Sequence, residues 1–228
     1  MKAFFCFSVM ILFILTSCKK DDNNVTNPEN QQNTVTDIDG NVYHTVRIGT
    51  QIWMVENLKV TKYRNGDAIP KVTSDYEWKN TGIGAYCNYD NAQSPTIYGS
   101  LYNGYAVNDP RNIAPVGWHI PSKAEWETLI NNLGIKSLIG GNLKEAGTSH
   151  WKSPNEGADN SSGFTALPGG RRGTSNFSFG FSDIGMSGYW WPKGSSYYFS
   201  LSYYSKEVTL YDPPTNLTDG MSVRCLKD

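Results

Sequence analysis

The residues that could carry chemistry in this chain are few, with four cysteines and three histidines among 228 residues. A metal centre needs several such ligands brought together at a defined spacing. The histidines are isolated from one another and share no helical or strand spacing; they are His44, His119 and His150. The sequence therefore indicates no metal centre, and it also lacks the Gly-x-Ser-x-Gly elbow of serine hydrolases.

Cys18 has the clearest chemical context, because it directly follows the triplet Leu15-Thr16-Ser17. A basic residue and an apolar run over residues 3–15 precede it, which is the layout of a secretory signal peptide. The run is too short to span a bilayer, which takes about 20 apolar residues. The Leu-x-Ser-Cys pattern resembles a bacterial lipobox, so we predict a signal peptide over residues 1–17 and lipidation of Cys18. The alternative is an ordinary secreted protein with a chance cysteine.

Residues 18–36 are predicted to be a disordered tether, since after Cys18 they contain no aromatic and almost no apolar residue. A flexible coil of about 18 residues spans roughly 23 Å, which would hold a domain just off a membrane. The Lys-Lys-Asp-Asp run after the cysteine resembles the export signal of surface-exposed lipoproteins in the Bacteroidetes group. A solvated group of charges is the alternative for that run.

Export also bears on Cys87 and Cys225, the cysteines that remain once Cys6 leaves with the signal peptide. A pair of cysteines in an oxidising compartment favours a disulfide. The bond would close a long loop, for which the chain-entropy model gives about 5 kcal/mol of stabilisation. We predict a Cys87–Cys225 disulfide, with two free buried thiols as the alternative.

The remaining chain, residues 37–228, is predicted to be one domain by its length. With 20 basic and 21 acidic residues, the sequence shows no concentration of positive charge suited to nucleic acid. Its aromatic composition is unusual, with 7 Trp and 14 Tyr against 9 Phe. Tyr and Trp carry a polar tip, so many of them are expected at half-exposed positions.

Two helices are predicted. Ser122 and Glu125 form a capping box at the start of the first, and Gly134 ends it. Its apolar face has the spacing i, i+3, i+4 and i+7 and consists of Trp126, Leu129, Ile130 and Leu133. The second helix is weaker and covers residues 141–146.

Strands are predicted on both sides of the helices. Residues 42–48 alternate between apolar and polar, which indicates a half-buried strand with His44 facing the core, and residues 51–57 are its hairpin partner. Later strands are short and lie in a sequence rich in Gly, Ser and Asn; they cover residues 189–191, 197–204, 206–211 and 221–226. Helices followed by irregular β structure predict a mixed α+β domain.

The strand over residues 197–204 has two unlike sides. Phe199 and Leu201 lie on the side predicted to face the core. The other side is rich in serine and carries Tyr198 and Tyr204, a composition suited to contacting sugars or protein partners. An ordinary solvated sheet face with tyrosines at their normal β propensity is the alternative.

Four stretches of the domain carry a family resemblance: residues 98–103, 117–126, 162–171 and 222–225. In order and spacing they resemble the Fibrobacter succinogenes major paralogous domain of exported bacterial lipoproteins. The second stretch is also similar to formylglycine-generating enzymes, which belong to a C-type-lectin-like superfamily. The resemblance implies two helices flanking a small twisted antiparallel sheet, a long loop-rich second half, and a terminal strand that pairs near the first.

The resemblance to an enzyme superfamily does not extend to its catalytic residues. Formylglycine-generating enzymes use cysteines shortly before the C-terminal strand, whereas residues 195–219 contain none and Cys225 lies in that strand. Related iron-dependent enzymes need a histidine cluster. We therefore predict no enzymatic activity and no cofactor. A structural Ca²⁺ in the oxygen-rich loop over residues 154–160 remains a hypothesis, with an Asn-rich turn network as its alternative.

A lectin-like fold would cluster the late loops at one pole, and this predicts where a ligand binds. Trp190 and Trp191 are adjacent in a strand, so at least one is expected to face away from the core. Arg171 follows two glycines and would bind an acidic group, unless it ties loop carbonyls together. The predicted ligand-binding residues are Trp190, Trp191, Tyr198, Tyr204 and Arg171.

Together these features predict a lipoprotein anchored in the outer membrane through Cys18 and exposed at the cell surface. Its domain is predicted to be a non-catalytic binding module for a glycan or a protein. Two alternatives stay open. One is a structural envelope lipoprotein, and the other is a divergent enzyme of the formylglycine-generating superfamily.

Overall fold

The computed structural model describes residue 1 and residues 33–92, 97–175, 178–194, 197–211 and 216–228. Cys18, the predicted signal peptide and most of the predicted tether lie outside the described residues. The chain from Gln32 to Asp228 forms one unit. Within the described residues, no helix has both the length and the apolar character needed to cross a membrane.

The described residues form a mixed α+β fold in which strands predominate, in agreement with the predicted class. The helices are short: α1 (Asp75–Asn80), α2 (Gly104–Asn108), α3 (Lys123–Leu133) and α4 (Gly140–Leu143). The strands are β1 (Thr34–Thr36), β2 (Val42–Ile48), β3 (Gln51–Met54), β4 (Tyr86–Cys87), β5 (Leu101–Asn103), β6 (Trp118–His119), β7 (Gly169–Ser175), β8 (Ser178–Ile184), β9 (Ser187–Trp190), β10 (Tyr198–Ser202), β11 (Thr209–Tyr211), β12 (Gly220–Met221) and β13 (Leu226–Lys227).

The first sheet has five strands in the order β1-β2-β3-β13-β6, and its strand pairs are antiparallel. Strand β13 pairs with β3 of the first hairpin, which agrees with the implied position of the terminal strand. Strand β1 pairs with β2 from Thr34 onward, so the regular structure begins inside the segment predicted to be a tether. Residues 34–36 are therefore strand rather than disordered coil.

The second sheet corrects the expectation of one small sheet followed by loops. Its strands run in the order β11-β10-β9-β7-β12-β5-β4, and β8 pairs with β7. Its pairs are antiparallel except β7 with β9, which meet in parallel at Gly170 and Gly188. Gly170 has a φ of 64°, and a side chain there would collide with the carbonyl oxygen of Ser182. The Gly- and Ser-rich second half forms strands because these small residues let neighbouring backbones approach closely.

Helix α3 confirms the prediction made from its capping and periodicity. Ser122 and Glu125 exchange the hydrogen bonds of a capping box, and Gly134 follows the last turn with a φ of 120°. Trp126 is fully buried on the inward face of the helix. Its ring stacks on Phe199 at 4.2 Å between centroids. Helix α4 ends earlier than predicted, and the chain turns extended at its C-cap.

The first hairpin is confirmed, but the direction of one side chain is not. His44 was expected to face the core, whereas 47% of its side chain is exposed. The adjacent Tyr43 is fully buried instead. The Tyr43 hydroxyl donates a hydrogen bond to Asp37 Oδ2 at 2.6 Å and accepts one from Lys59 N at 2.9 Å. These two bonds fix Tyr43 inward, and alternation along the strand then turns His44 to solvent.

The predicted Cys87–Cys225 disulfide is not formed, because both thiols are free and buried. Cys87 lies in β4, an edge strand of the second sheet, and packs in a small cluster with Trp78. Cys225 precedes β13 of the first sheet and packs in a separate, larger cluster. The two cysteines belong to different parts of the core, so the alternative of two free buried thiols holds.

Candidate functional site

The two tryptophans proposed for ligand binding are core residues. Trp190 and Trp191 are both fully buried. Trp190 Nε1 donates to Asn57 Oδ1 at 2.8 Å, and Trp191 Nε1 donates to the Tyr102 carbonyl oxygen at 2.9 Å. They pack into different clusters, so the core covers both sides of the chain here. The prediction that one of them faces away from the core is wrong for this reason.

Tyr204 is exposed but lies apart from Tyr198. It sits in the turn after β10, with 69% of its surface accessible, and its ring meets Tyr203 at 5.3 Å. Tyr198 begins β10 and Tyr204 lies in the turn beyond its end, so the length of the strand, about 13 Å, lies between them. The structure therefore does not bring these two predicted residues together.

Arg171 and Tyr198 are brought together by a third residue, Tyr189. The parallel contact between β7 and β9 sets Arg171 beside Tyr189, and the Arg171 Cζ lies 4.8 Å from the Tyr189 ring centroid. The Tyr189 and Tyr198 rings meet edge to face at 5.5 Å. Asp183 on β8 completes the group, which we name the arginine–tyrosine surface: Arg171, Asp183, Tyr189 and Tyr198.

Asp183 connects the charged and aromatic parts of the arginine–tyrosine surface. Its Oδ2 accepts hydrogen bonds from the Tyr189 hydroxyl at 3.0 Å and from Ser182 Oγ at 3.1 Å. The same oxygen lies 3.4 Å from Arg171 Nε. Burial, partly offset by the charge of Arg171, raises the pKa of Tyr189 to about 12, so its hydroxyl stays protonated and donates.

The guanidinium of Arg171 makes no hydrogen bond to any described residue, although only 23% of the side chain is exposed. The neighbouring Arg172 behaves differently, since it donates to the carbonyl oxygens of Val72 and Thr73 and pairs with Asp75. The alternative of an arginine that ties loop carbonyls together thus describes Arg172 and not Arg171. Arg171 Nε is buried, so the exposed part of the side chain is where a ligand could accept a bond without breaking an internal one.

Two carboxylates lie near the positive charge of Arg171. Asp183 is in contact, and Asp219 lies within electrostatic reach of the guanidinium. Asp219 Oδ1 accepts bonds from the Thr174 backbone N–H and hydroxyl, and burial raises its pKa. The arginine–tyrosine surface therefore offers both open donors and acidic oxygens, and it is not a simple anion site.

The loop over residues 154–160 uses most of its polar groups internally, although the buried Asn155 Oδ1 has no hydrogen-bond partner within the described residues. Asn155 Nδ2 donates to the carbonyl oxygens of Glu145 and Gly147, and Asn160 Nδ2 donates to Thr165 Oγ1. In the part of the chain that the structure describes, no cluster of three His, Cys, Asp or Glu could hold a metal ion. The turn-network alternative accounts for the bonds donated by the Asn155 and Asn160 amides.

The three histidines lie in separate places, each beside a carboxylate. His44 Nδ1 is 2.6 Å from Glu56, and His150 Nδ1 is 2.8 Å from Glu145. His119 lies between Glu125 and Asp228, at 2.8 and 2.7 Å. These pairs fix ring orientation but assemble no shared site.

Sequence reasoning missed the two residues that join the site together, Asp183 and Tyr189. The sequence correctly predicts a strand at Tyr189, and alternation with the buried Trp190 indicates that Tyr189 lies on the opposite side of it. The prediction named the two adjacent tryptophans as binding residues instead of Tyr189. No local signal marked Asp183, because the β7–β8 pairing opposite Arg171 brings it there.

A family model of the Fibrobacter succinogenes major domain matches residues 46–227. The chain belongs to this family. No curated protein and no solved structure matches the chain.

Three of the four stretches that carry the family resemblance meet at the buried Asn57. Asn57 Nδ2 donates to the Tyr98 carbonyl oxygen at 2.8 Å, and its Oδ1 accepts from Arg224 Nη2 at 3.0 Å. Arg224 also donates to the Phe164 carbonyl oxygen. Stretches 98–103, 162–171 and 222–225 are thus linked inside the core, and only Arg171 at the end of the second of these reaches the arginine–tyrosine surface.

Proposed function

We propose that this chain is an exported lipoprotein whose Fibrobacter succinogenes major domain is a non-catalytic binding module. Its ligand is a glycan or a protein, bound at the arginine–tyrosine surface. One observation carries the proposal: Arg171 has 23% of its side chain exposed and pairs with Asp183, but its guanidinium donates no hydrogen bond within the described residues. The finer C-type-lectin-like description of the fold belongs to the same proposal, and the pairing of β13 with β3 supports it.

The chemistry of the nucleophilic side chains supports binding over catalysis. Burial raises the pKa of the Cys87 thiol to about 11 and also raises that of Cys225. A thiol in that state supplies little thiolate near neutral pH and is a poor nucleophile.

The test of the binding role compares variants of the full chain on an array of glycans and envelope proteins. Arg171→Gln removes the charge and the planar donors and should abolish or strongly weaken the retained signal. Arg47→Gln is the matched control, because Arg47 is exposed on β2 of the other sheet. Equal signals from wild type and a folded Arg171→Gln variant would overturn the proposal.

In this proposal, acyl chains on Cys18 anchor the protein in a leaflet of the outer membrane. The domain is exposed at the cell surface. A fatty-acid probe fed to cells should label the wild-type protein. Cys18→Ala should lose the label, while Cys6→Ala should keep it, because Cys6 lies within the cleaved segment. Unchanged labelling of Cys18→Ala would refute lipidation at this residue.

A further inference from the structure

We propose that the ligand of the arginine–tyrosine surface is an uncharged glycan, held through a pair of neighbouring hydroxyl groups by Arg171 and Asp183. This inference rests on the proposed binding function and names the ligand class of the same site.

Arg171 and Asp183 differ in the hydrogen bonds that they can offer a ligand. Arg171 Nε is buried without a hydrogen-bond partner and lies 3.4 Å from Asp183 Oδ2. No hydrogen bond from the Arg171 guanidinium reaches a described residue, which leaves Nη1 and Nη2 to donate to a ligand. Asp183 uses Oδ2 for Tyr189 and Ser182, which leaves Oδ1 as an open acceptor within the described residues. A ligand that fits must therefore accept and donate within a few ångströms. Neighbouring sugar hydroxyls do both, whereas a carboxylate only accepts and an ammonium only donates.

The charges at the arginine–tyrosine surface disfavour a charged ligand of either sign. An anionic ligand that approached Arg171 would also meet Asp183 at contact distance and the nearby Asp219. A cationic ligand would meet the guanidinium itself. Like charges at such short range are unfavourable. An uncharged ligand avoids both penalties and still satisfies the open donors and the open acceptor.

Tyr189 and Tyr198 lie next to the charged pair, partly buried against the core and edge to face with each other. Their accessible part supplies aromatic surface of the kind that packs on the apolar C–H face of a sugar. Arg171 and Asp183 have 23% and 27% of their side chains exposed, so both can be reached from outside. Ser200 lies opposite Tyr189 on β10 and adds a hydroxyl. Aromatic, charged and hydroxyl groups therefore lie side by side on a surface that a polysaccharide could cross.

The test measures affinity of the full chain for neutral polysaccharides (glucan, mannan and galactan) and for uronate polymers (alginate and polygalacturonate). We expect binding to at least one neutral polymer and none to the uronates. Arg171→Gln and Asp183→Asn should each weaken binding about tenfold or more, the scale for an unpaired polar group at a binding site. Arg47→Gln should bind like wild type.

Arg171→Lys separates geometry from charge and guards against a folding artefact. It keeps the positive charge but loses the planar pair of donors, so binding to a neutral polymer should still fall. Asp183→Asn keeps an oxygen for the Tyr189 hydroxyl, and an unchanged melting temperature shows that each variant is folded.

Other outcomes distinguish this inference from the proposed function. Two results would overturn the neutral-glycan inference and leave the binding function standing. One is binding confined to uronates and strengthened by Asp183→Asn. The other is binding to proteins alone that depends on Arg171. Binding to neutral polymers that both Arg171→Gln and Asp183→Asn leave unchanged overturns the inference and the proposed site together. Absence of binding to every polymer also overturns the inference.

Discussion

Asn57 is a single buried side chain that satisfies donors and acceptors from several distant parts of the chain. Its Oδ1 accepts from Trp190 Nε1 and from Arg224, and its Nδ2 donates to Tyr98 and to Ser222 Oγ. Arg224 is fully buried with no carboxylate bound to it within the described residues, and burial lowers its pKa to about 9. The charge is tolerated because carbonyl and amide oxygens surround it.

We predict that Asn57→Ala destabilises the protein by about 3–5 kcal/mol, since it leaves buried donors of Arg224 and Trp190 without an acceptor. Chemical denaturation measures the change. Asn131→Ala, at an exposed position of α3, should stay within about 0.5 kcal/mol of wild type. A small effect of Asn57→Ala would show that water replaces the lost amide.

His119 is the residue whose protonation should be felt in stability. Burial of the ring opposes its charge, but hydrogen bonds with Asp228 and Glu125 outweigh this and raise its pKa. The stabilisation is therefore complete below the unfolded-state pKa of about 6.5 and is lost as the pH rises through the higher folded-state value. We predict that His119→Gln lowers the free energy of unfolding more below pH ~6 than above pH ~8.

The partner variant for this pH effect is Glu125→Gln, which keeps an acceptor for Ser122 in the capping box but removes one negative charge. It should reduce the pH dependence that His119→Gln reveals. A stability difference between wild type and His119→Gln that does not vary with pH would contradict the assignment.

At the level of elements, helix α3 is anchored by one aromatic side chain. Trp126 stacks on Phe199 of β10 at 4.2 Å and meets Trp53 of β3 at 4.7 Å, so it joins both sheets to the helix. We predict that Trp126→Ala costs about 3–5 kcal/mol, the range for truncating a large buried aromatic. Thr128→Ala, an exposed position on the same helix, is the control. A denaturation midpoint near wild type for Trp126→Ala would show that the helix packs by other contacts.

The success of sequence reasoning differed from element to element for a physical reason. A capping box and a 3.6-residue period are local, so helix α3 was predicted almost to the residue. Alternation also placed Phe199 and Leu201 in the core correctly. Alternation gave the wrong result at Trp190 and Trp191, because it assumes that one side of a strand faces solvent. Here core residues pack against both sides of the strand. The arginine–tyrosine surface depends on the β7–β9 parallel contact, which no local pattern encodes.

At the scale of the whole molecule, the two cysteines lie in separate hydrophobic clusters of the core. Cys87 and Cys225 belong to different clusters and are both buried. We predict that neither reacts with a maleimide in the folded protein, because burial blocks access and raises each thiol pKa. After denaturation without reductant both should react. If the denatured protein reacts only after a reductant is added, the two cysteines form a disulfide and this prediction is wrong.

The position of β13 has a consequence for the order in which the protein acquires its structure. This strand follows the other twelve described strands in the chain, yet it lies between β3 and β6 inside the first sheet. The sheet cannot close before β13 has been synthesised, so the edges of β3 and β6 that pair with it stay open until then. Pairing over such a sequence separation is slow. If the chain is exported, as proposed, late closure of this sheet would help to keep the chain transportable until β13 has crossed.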